Sequence, residues 1–188
     1  MKKYNVIYAD CPWSYTQKSV GRGNKSGASD TYSVMTLEDI KNMPINNITS
    51  DNSILFLWIT TPLLDQGFEV IKSWGFKYKT LITWEKTGCL GMGNYLRTQT
   101  EFILIAVKGK IKPFGHQEKN IYKHKIGKHS QKPVFFRDLV SLLSDKSFGY
   151  GNSVKLELFA RSREGMFPDI EYEGWDVFGN EVNNSIKL

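Results

Sequence analysis

The stretch Tyr4–Tyr15, YNVIYADCPWSY, decides the fold of this chain. Its first half is an apolar run in which Val6 and Ile7 stand between tyrosines, and no glycine or proline interrupts it, which predicts a buried β-strand. The run stops abruptly at Asp10-Cys11-Pro12-Trp13. In open α/β sheets, ligands bind beyond the carboxyl ends of the strands. We therefore expect these four residues to lie on the functional rim of the sheet.

The residues of this rim are suited to hold an exocyclic base amine, whose nitrogen is a poor nucleophile because its lone pair is delocalised into the ring. The Asp10 carboxylate can accept a hydrogen bond from one N–H, and the backbone carbonyl of Cys11 from the other, since Pro12 fixes the following turn. Trp13 could then stack on a base taken out of its helix. The same residues also fit a strand followed by a turn with Trp13 in the core, and alone they do not decide between the two.

The composition describes a globular protein with a basic surface. A chain of 188 residues, 40% hydrophobic and 23% charged, suffices for one domain with a substantial core. The net charge of +6 favours a polyanionic partner, although a modestly basic surface explains it equally. Two cysteines, Cys11 and Cys89, give no disulfide framework and indicate a reducing cytoplasm. The sequence shows no signal peptide and no apolar run long enough to span a membrane, so we expect a cytoplasmic protein.

Strand and helix patterns alternate along the chain, which predicts an α/β fold with a doubly wound sheet. Further strands are expected at 54–60, 77–84, 101–107, 154–160 and 174–178. Helices are expected after Thr36, from Thr61-Pro62 to Gly75, and from Pro133 onward. The apolar faces predicted for the last two comprise Leu64, Phe68, Ile71 and Trp74, and Phe136, Leu139, Val140 and Leu143.

Three loops, at about 16–32, 86–100 and 108–132, are expected to form the substrate side of a single domain spanning 1–188. The first is rich in glycine but lacks the spacing of a phosphate-binding loop. The third interleaves lysines with aromatic residues, which suits contact with nucleic acid, although such charge runs are often only solvated loops. Its histidines lack a zinc spacing, so no metal site is expected.

A series of short motifs runs through nearly the whole chain. In order, they are Asp10-Cys11-Pro12-Trp13, Leu55-Phe56-Leu57-Trp58, Trp84-Glu85-Lys86-Thr87, Glu101 with Val107-Lys108-Gly109, His129-Ser130-Gln131-Lys132-Pro133, Glu157-Leu158-Phe159-Ala160-Arg161, and Gly179-Asn180-Glu181. The series resembles the MT-A-seventy family of adenine-N6 methyltransferases. That family includes the catalytic subunit of the eukaryotic mRNA adenosine methyltransferase and enzymes of bacteria and phages.

The resemblance implies a permuted Rossmann-like S-adenosylmethionine-dependent methyltransferase fold, with a mostly parallel, doubly wound sheet and helices on both faces. It implies methyl transfer from S-adenosylmethionine to the N6 amine of adenine in nucleic acid, without a metal. The residues implied for catalysis are Asp10, Cys11, Pro12 and Trp13. Those implied for donor binding are Asp10, Lys132, Arg161, Glu164, Asn180 and Glu181. Those implied to contact the target nucleotide are Trp13, Tyr32, Lys86 and Glu101.

The sequence departs from the family pattern at two places. Cys11 stands where the family has its first proline, but the group required there is the backbone carbonyl, which cysteine keeps. Arg163-Glu164 stands where the eukaryotic catalytic subunit has His-Asn, which changes how the ribose of the donor is held. We therefore expect methyl transfer to survive the first departure.

The small chain resembles a bacterial or phage enzyme, so DNA is expected as the substrate ahead of RNA, in the cytoplasm of a bacterium or of a phage-infected host. Two other hypotheses remain. The chain could be a non-catalytic nucleic-acid-binding partner subunit of such an enzyme, although paralogues of that kind have lost the acid that is Asp10 here. Cys11 could instead be a nucleophile with a histidine base. A homodimer or a heterodimer is compatible with the sequence.

Overall fold

The computed structural model of the protein describes residues 2–14, 34–88, 91, 95–115, 117–127, 131–161, 172–180 and 182–188. Within these ranges, the chain forms seven β-strands and three α-helices. The strands are β1 (Tyr4–Ala9), β2 (Thr49–Thr60), β3 (Lys77–Thr87), β4 (Thr100–Lys108), β5 (Ile121–Lys125), β6 (Lys155–Leu158) and β7 (Trp175–Phe178). The helices are α1 (Leu37–Lys41), α2 (Leu64–Ser73) and α3 (Val134–Phe148).

The described strands form one sheet in the order β5-β3-β4-β2-β1-β6-β7. β1 pairs in parallel with β2 and β6, β6 with β7, and β3 with β5. β4 runs antiparallel to both of its neighbours, β2 and β3. The expected mostly parallel sheet is confirmed, and β4 is the strand that reverses direction among those described.

Helices cover both faces of the sheet, as the doubly wound prediction requires. On one face, Ile7 and Ala9 of β1 join a core cluster with Ile40 of α1 and Val70 of α2. On the other face, the cluster contains Val6, Tyr8 and the buried side of α3. The four α3 positions predicted to be apolar and inward are all buried, namely Phe136, Leu139, Val140 and Leu143.

The boundaries of the helices follow from local residue chemistry. The Thr36 hydroxyl accepts a hydrogen bond from the backbone N–H of Asp39, which caps α1 as predicted. α2 follows a 3-10 turn at Thr61–Leu63 and gives way to Gly75, whose φ of 77° is readily adopted only by glycine. Pro133 immediately precedes α3, where its missing N–H has no consequence for the helix.

The prediction that Phe68 faces the core is wrong, since its side chain is 42% exposed. Gly67 is the α2 residue that faces the sheet, and a Cβ there would lie 3.0 Å from Leu104 Cδ1. Because Gly67 packs against the sheet, the next side chain along α2, Phe68, lies at the side of the helix. There its ring meets that of Tyr78 edge to face at 5.0 Å between centroids.

The stretch 108–132 is not the continuous loop that was expected, because it contains β5. In β5, the rings of Tyr122 and His124 lie 5.1 Å and 4.2 Å from that of Phe135 on α3. Lys123 and Lys125 alternate with them and point outward, so β5 is a half-buried edge strand among lysines. β2 likewise begins at Thr49, before its apolar half starts at Ile54.

Candidate active site

The carboxyl edge of the parallel strands gathers most of the described candidate residues. Asp10 directly follows β1, and Lys86 lies one residue before the end of β3. Because β4 is antiparallel, its beginning lies at this same edge, where Glu101 pairs with Thr60 on one side and Trp84 on the other. The ends of β1, β2 and β3 and the beginning of β4 therefore lie together at the carboxyl edge of the sheet.

Four charged side chains at this edge form one connected group, which we call the charge cluster: Asp10, Lys86, Glu101 and Lys132. Lys132 Nζ lies 3.1 Å from Asp10 Oδ1 and 3.3 Å from Glu101 Oε2. Lys86 Nζ lies 2.5 Å from the other carboxylate oxygen of Glu101. Glu101 thus bridges two lysines, and Lys132 bridges two carboxylates.

In the charge cluster, the pKa values of Glu101 and Lys132 are shifted in favour of their charged forms. Burial acts to raise the pKa of Glu101, but the charges of Lys132 and Lys86 outweigh it, so that pKa lies below its ordinary value. Burial likewise acts to lower the pKa of Lys132, and the carboxylates of Asp10 and Glu101 outweigh it, so that pKa is raised. At neutral pH, Glu101 is an anion and Lys132 is a cation.

An aromatic floor supports the two lysines. Lys132 Nζ lies 5.2 Å from the ring centroid of Trp58, and Lys86 Nζ lies 5.3 Å from that of Trp84, so each ammonium faces a π system. The two tryptophan rings meet edge to face at 6.0 Å. Tyr8 supports this floor from β1, since its hydroxyl accepts a 2.7 Å hydrogen bond from Trp58 Nε1.

The segment after β1 is folded into a tight turn. The backbone N–H of Trp13 donates to the carbonyl of Cys11 at 2.9 Å, and the N–H of Met35 donates to the carbonyl of Pro12 at 2.9 Å. A carbonyl oxygen has two lone pairs, so the Cys11 carbonyl can still accept a second hydrogen bond. The Trp13 N–H therefore occupies one of the two lone pairs of the carbonyl that is predicted to hold the target amine.

Comparison with known proteins adds independent evidence. The sequence model of the family MT-A70 matches residues 4–181, which is most of the chain. The chain belongs to the MT-A70 family.

Individual relatives agree with the MT-A70 assignment. A protein of Mycoplasma sp. named Type II methyltransferase M.MunI is 35% identical over all of this chain and 82% of its own length. The human N(6)-adenosine-methyltransferase catalytic subunit METTL3 is 24% identical over 96% of this chain, which spans 28% of METTL3. The Arabidopsis thaliana N6-adenosine-methyltransferase non-catalytic subunit MTB is 34% identical over 58% of this chain and 15% of its own length.

Trp13 of the MT-A70 motif does not present its ring at the rim. The side chain is 6% exposed and belongs to the core cluster beneath α1 and α2. Its Nε1 donates to the carbonyl of Trp58 at 3.3 Å, which anchors the turn to β2. In this arrangement the ring is largely covered by core residues, which favours the alternative of a core tryptophan, and stacking on a base stays a prediction.

Cys11 is buried and unsuited to nucleophilic attack. Its pKa is raised above the ordinary value, first by burial and then by the nearby charge of Asp10, so the thiolate is disfavoured at neutral pH. The hypothesis of a cysteine nucleophile therefore has no support.

The predicted donor-binding residues of the last two strands lie at the same edge. Arg161 follows β6, where Phe159 adopts a φ of 62°, a conformation that non-glycine residues rarely take outside constrained sites. Asn180 follows β7, and a Cβ on the preceding Gly179 would lie 2.1 Å from the carbonyl oxygen of Ala160. The two chain segments are thus packed backbone against backbone. The remaining predicted positions, Tyr32, Glu164 and Glu181, lie outside the described residues.

Sequence reasoning missed a buried ion pair next to this edge. Arg137 of α3 contacts Glu157 of β6 through two hydrogen bonds, at 2.7 Å from Nε and 3.3 Å from Nη2. Arg137 also lies over the ring of Tyr172, whose hydroxyl donates to the carbonyl of Arg161 at 2.6 Å. The available signal was a charged residue directly after Phe136 in the apolar stripe of α3.

Two further searches cover the described residues alone. None of their helices combines the length and hydrophobicity needed to cross a bilayer. Likewise, no group of three or more histidine, cysteine, aspartate or glutamate side chains among them is placed to bind a metal ion.

Proposed function

We propose that this protein transfers a methyl group from S-adenosylmethionine to the N6 amine of adenine in DNA. Its enzyme class, an adenine-N6 methyltransferase, follows from membership of the MT-A70 family and from the similarity to M.MunI along the whole chain. The observation that carries the finer proposal is the ion pair of Lys132 with Asp10 at the carboxyl edge. That pair offers one cation and one anion side by side.

The charge cluster fits the amino-acid end of S-adenosylmethionine, which carries a carboxylate and an ammonium. Lys132 would bind the carboxylate, helped by the positive end of α3, which begins two residues later. Asp10 would bind the ammonium. Arg161 and Asn180, which follow β6 and β7, would contact the adenosine part, beside the place where Gly179 packs closely against Ala160. Glu164 and Glu181 remain proposed donor contacts by sequence.

The residues after β1 would prepare the target amine. Asp10 and the Cys11 carbonyl would each accept one N–H of the amine, which directs the nitrogen lone pair away from the base ring. When bound, S-adenosylmethionine supplies an electrophilic methyl group at this point. As positive charge develops on the nitrogen, the Asp10 carboxylate stabilises it without having to move. Asp10 Oδ2, the carboxylate oxygen other than the one 3.1 Å from Lys132 Nζ, is the oxygen we assign to this task.

Lys86 and Glu101 are proposed to line the side on which the target nucleotide enters, together with Tyr32. Lys86 supplies a positive charge for a phosphate, and Glu101 holds that ammonium in place at 2.5 Å. Trp13 is proposed to act from behind, by fixing the turn through its hydrogen bond to Trp58. In this proposal, Asp10 and the Cys11 carbonyl act directly on the target amine. Pro12 fixes the turn that holds them in place.

DNA is preferred to RNA on the basis of the relatives. The match to a type II methyltransferase extends over the whole chain at 35% identity, whereas the rice and human relatives named for adenosine, the ribonucleoside, match over 96% of the chain at 24%. The net charge of +6 suits either polyanion. A reducing cytoplasm is the proposed location, on the earlier evidence of the cysteines.

The test is transfer of label from methyl-labelled S-adenosylmethionine into matched DNA and RNA, followed by digestion to nucleosides. Wild type is compared with Asp10→Asn and with Asp65→Asn, which removes an exposed acid on α2. We expect label in 6-methyldeoxyadenosine from DNA, a loss of at least about 100-fold for Asp10→Asn, and no change for Asp65→Asn. Label from RNA alone would overturn the DNA assignment, and full activity of Asp10→Asn would overturn the mechanism.

The second candidate function is that of a non-catalytic partner subunit, which the similarity to MTB favours. In that case, wild type alone would transfer no label to either nucleic acid, yet would still bind it. The retention of Asp10 argues for the enzyme. Assembly with a second copy or with a different subunit is compatible with both candidate functions. Sedimentation of the purified chain would show whether it assembles with a second copy of itself.

A further inference from the structure

The connection between β3 and β4 contains two large apolar side chains that are exposed to solvent. Tyr95 is fully exposed, and Leu96 is 81% exposed. Arg97 follows them and is also exposed. We call residues 95–97 the exposed tip. Large apolar side chains side by side in water are unusual enough to indicate a surface that something else covers.

The base of this connection is well fixed. The backbone N–H of Lys86 donates to the carbonyl of Gln99 at 2.7 Å, and Glu85 pairs with Thr100 in the sheet. Higher up, Gly91 approaches Thr98 so closely that a Cβ on it would lie 2.0 Å from the Thr98 carbonyl oxygen. Gly91 and Thr98 are therefore in close contact, and Tyr95 and Leu96 lie between them along the chain. We call the paired residues at the base of the connection the stem.

The stem rises directly from the charge cluster. Lys86 and Glu101, which flank the connection, are themselves members of that cluster. Tyr95 is six residues from Glu101, so its Cα cannot lie more than about 20 Å from that of Glu101. The exposed tip is thus within reach of a nucleic acid whose target base has entered the site.

The charges around the exposed tip favour a polyanion as the group that covers it. Arg97 is part of the tip, and the Lys125 side chain lies 3.8 Å from the Cβ position of Gly88 at the start of the connection. Glu85, the nearest acid on β3, is paired with Lys123 at 2.9 Å. An aromatic residue, a leucine and an arginine together provide base stacking, an apolar wedge and phosphate neutralisation.

We propose that the exposed tip inserts into the DNA duplex at the target adenine, with Tyr95 and Leu96 taking the stacking position that the adenine leaves. This inference rests on the proposed function. An amine on a paired base is out of reach of the charge cluster, so the base must leave its stack, and the gap that remains exposes its neighbours to water. Tyr95 covers the neighbouring base, Leu96 fills the gap, and Arg97 lies against the backbone phosphates.

The experiment compares Tyr95→Ala, Tyr95→Phe and Tyr150→Ala on long unmethylated DNA, which contains every short sequence, given as duplex and after heat denaturation. Tyr150 is the matched control, since it is as exposed as Tyr95 but lies between α3 and β6, at the opposite edge of the sheet. We expect Tyr95→Ala to lower kcat/KM on duplex DNA by between about fivefold and a hundredfold, and by much less on denatured DNA. Tyr95→Phe restores the rate because stacking needs the ring alone, and Tyr150→Ala equals wild type.

A binding measurement separates failure of this inference from failure of the proposed function. It follows the fluorescence anisotropy of a labelled 20-base-pair DNA of mixed sequence, without methyl donor. If wild type methylates DNA and Tyr95→Ala matches it in both rate and affinity, the inference is overturned. The same holds if Tyr95→Ala changes only the sedimenting mass, which would identify the exposed tip as a protein-binding surface. If wild type transfers no label but Tyr95→Ala weakens DNA binding, the proposed function fails and the DNA contact of the exposed tip stands.

Discussion

Lys132 Nζ lies 3.1 Å from Oδ1 of Asp10, and the same ammonium lies 3.3 Å from Glu101. The second of these contacts joins two residues that the family resemblance assigns to different ligands. Lys132 was expected beside the methyl donor, and Glu101 was expected beside the target nucleotide. We expect a change at either position to affect the other, because the Lys132 ammonium contacts both Asp10 and Glu101. The consequences can be measured.

Glu101→Gln should destabilise the protein at neutral pH by about 3 kcal/mol, because two largely buried lysines lose their shared anion. The pKa of Glu101 is lowered in the folded state, so between that pKa and the ordinary glutamate value the folded protein binds fewer protons than the unfolded chain. Its stabilising effect is complete above the ordinary glutamate pKa of about 4.3. It is lost as the pH falls through the lower folded-state pKa.

Urea unfolding of wild type and Glu101→Gln, measured at several pH values between neutral and strongly acidic, checks this expectation. The difference in the free energy of unfolding should be largest near neutral pH and should shrink toward acid, since glutamine does not titrate. Glu69→Gln, which removes an exposed acid on α2, is the control and should show almost no difference. A constant difference at every pH would contradict the ion-pair account.

Lys132→Met should weaken binding of S-adenosylmethionine by between about tenfold and a hundredfold, because the donor carboxylate loses a charged hydrogen-bond partner. Methionine keeps the length and apolar contacts of the lysine stem above Trp58. Titration calorimetry with the donor measures the effect. Lys146→Met, which removes the lysine paired with Glu118 near the other end of α3, is the control. Equal donor affinity of Lys132→Met and wild type would remove Lys132 from the donor site.

Cys11→Ala should retain methyl transfer within a few-fold of wild type, because the carbonyl that serves the amine belongs to the backbone. Cys11→Ser should also transfer methyl groups, but it should be less stable by about 1–3 kcal/mol if its buried hydroxyl finds no partner. Label transfer and urea unfolding of the two variants measure these effects. Abolished transfer in Cys11→Ala, with unchanged folding, would return a chemical role to the thiol.

Arg137→Met should destabilise the protein by about 3–5 kcal/mol, because the nearly buried Glu157 carboxylate then loses its ion pair with the guanidinium. The double variant Arg137→Met/Glu157→Met should recover a large part of this loss, since an apolar pair of similar size can replace a buried ion pair. The four proteins of the cycle are compared by urea unfolding. Strict additivity of the two single effects would show that the two side chains are not coupled.

Much of the architecture was predictable because each element has a strong local signal. The apolar runs gave β1, β4 and the second half of β2, and the caps at Thr36, Gly75 and Pro133 marked helix boundaries correctly. The polar start of β2 was not predictable, since Ser50, Asp51 and Asn52 have weak strand propensity and the pairing of Thr49 with Tyr4 of β1 is separated from the rest by a register shift. β5 was hidden for the same reason, as its strand character depends on packing against Phe135.

The site was predictable as a set of residue types but not as a geometry. Local pattern placed Asp10 after a strand, yet nothing local indicates that Lys132 reaches it. Trp13 shows the opposite problem, because an aromatic residue after a strand suits both a binding platform and a core position, and only the packing of α1 and α2 decides. The aromatic floor of Trp58 and Trp84 was likewise invisible, since tryptophans in strands are ordinarily core residues.

The reversed direction of β4 means that the connection from β3 is a hairpin crossing the rim, whereas the helical connections return to the opposite edge. The pairing of Glu85 with Thr100 closes this hairpin before the exposed tip begins. Residues 95–97 lie outside every described strand pair, so we expect the exposed tip to tolerate exchange of its side chains without a change in strand register. Under the proposed function, exchanges there would change the contact with DNA and leave the charge cluster intact.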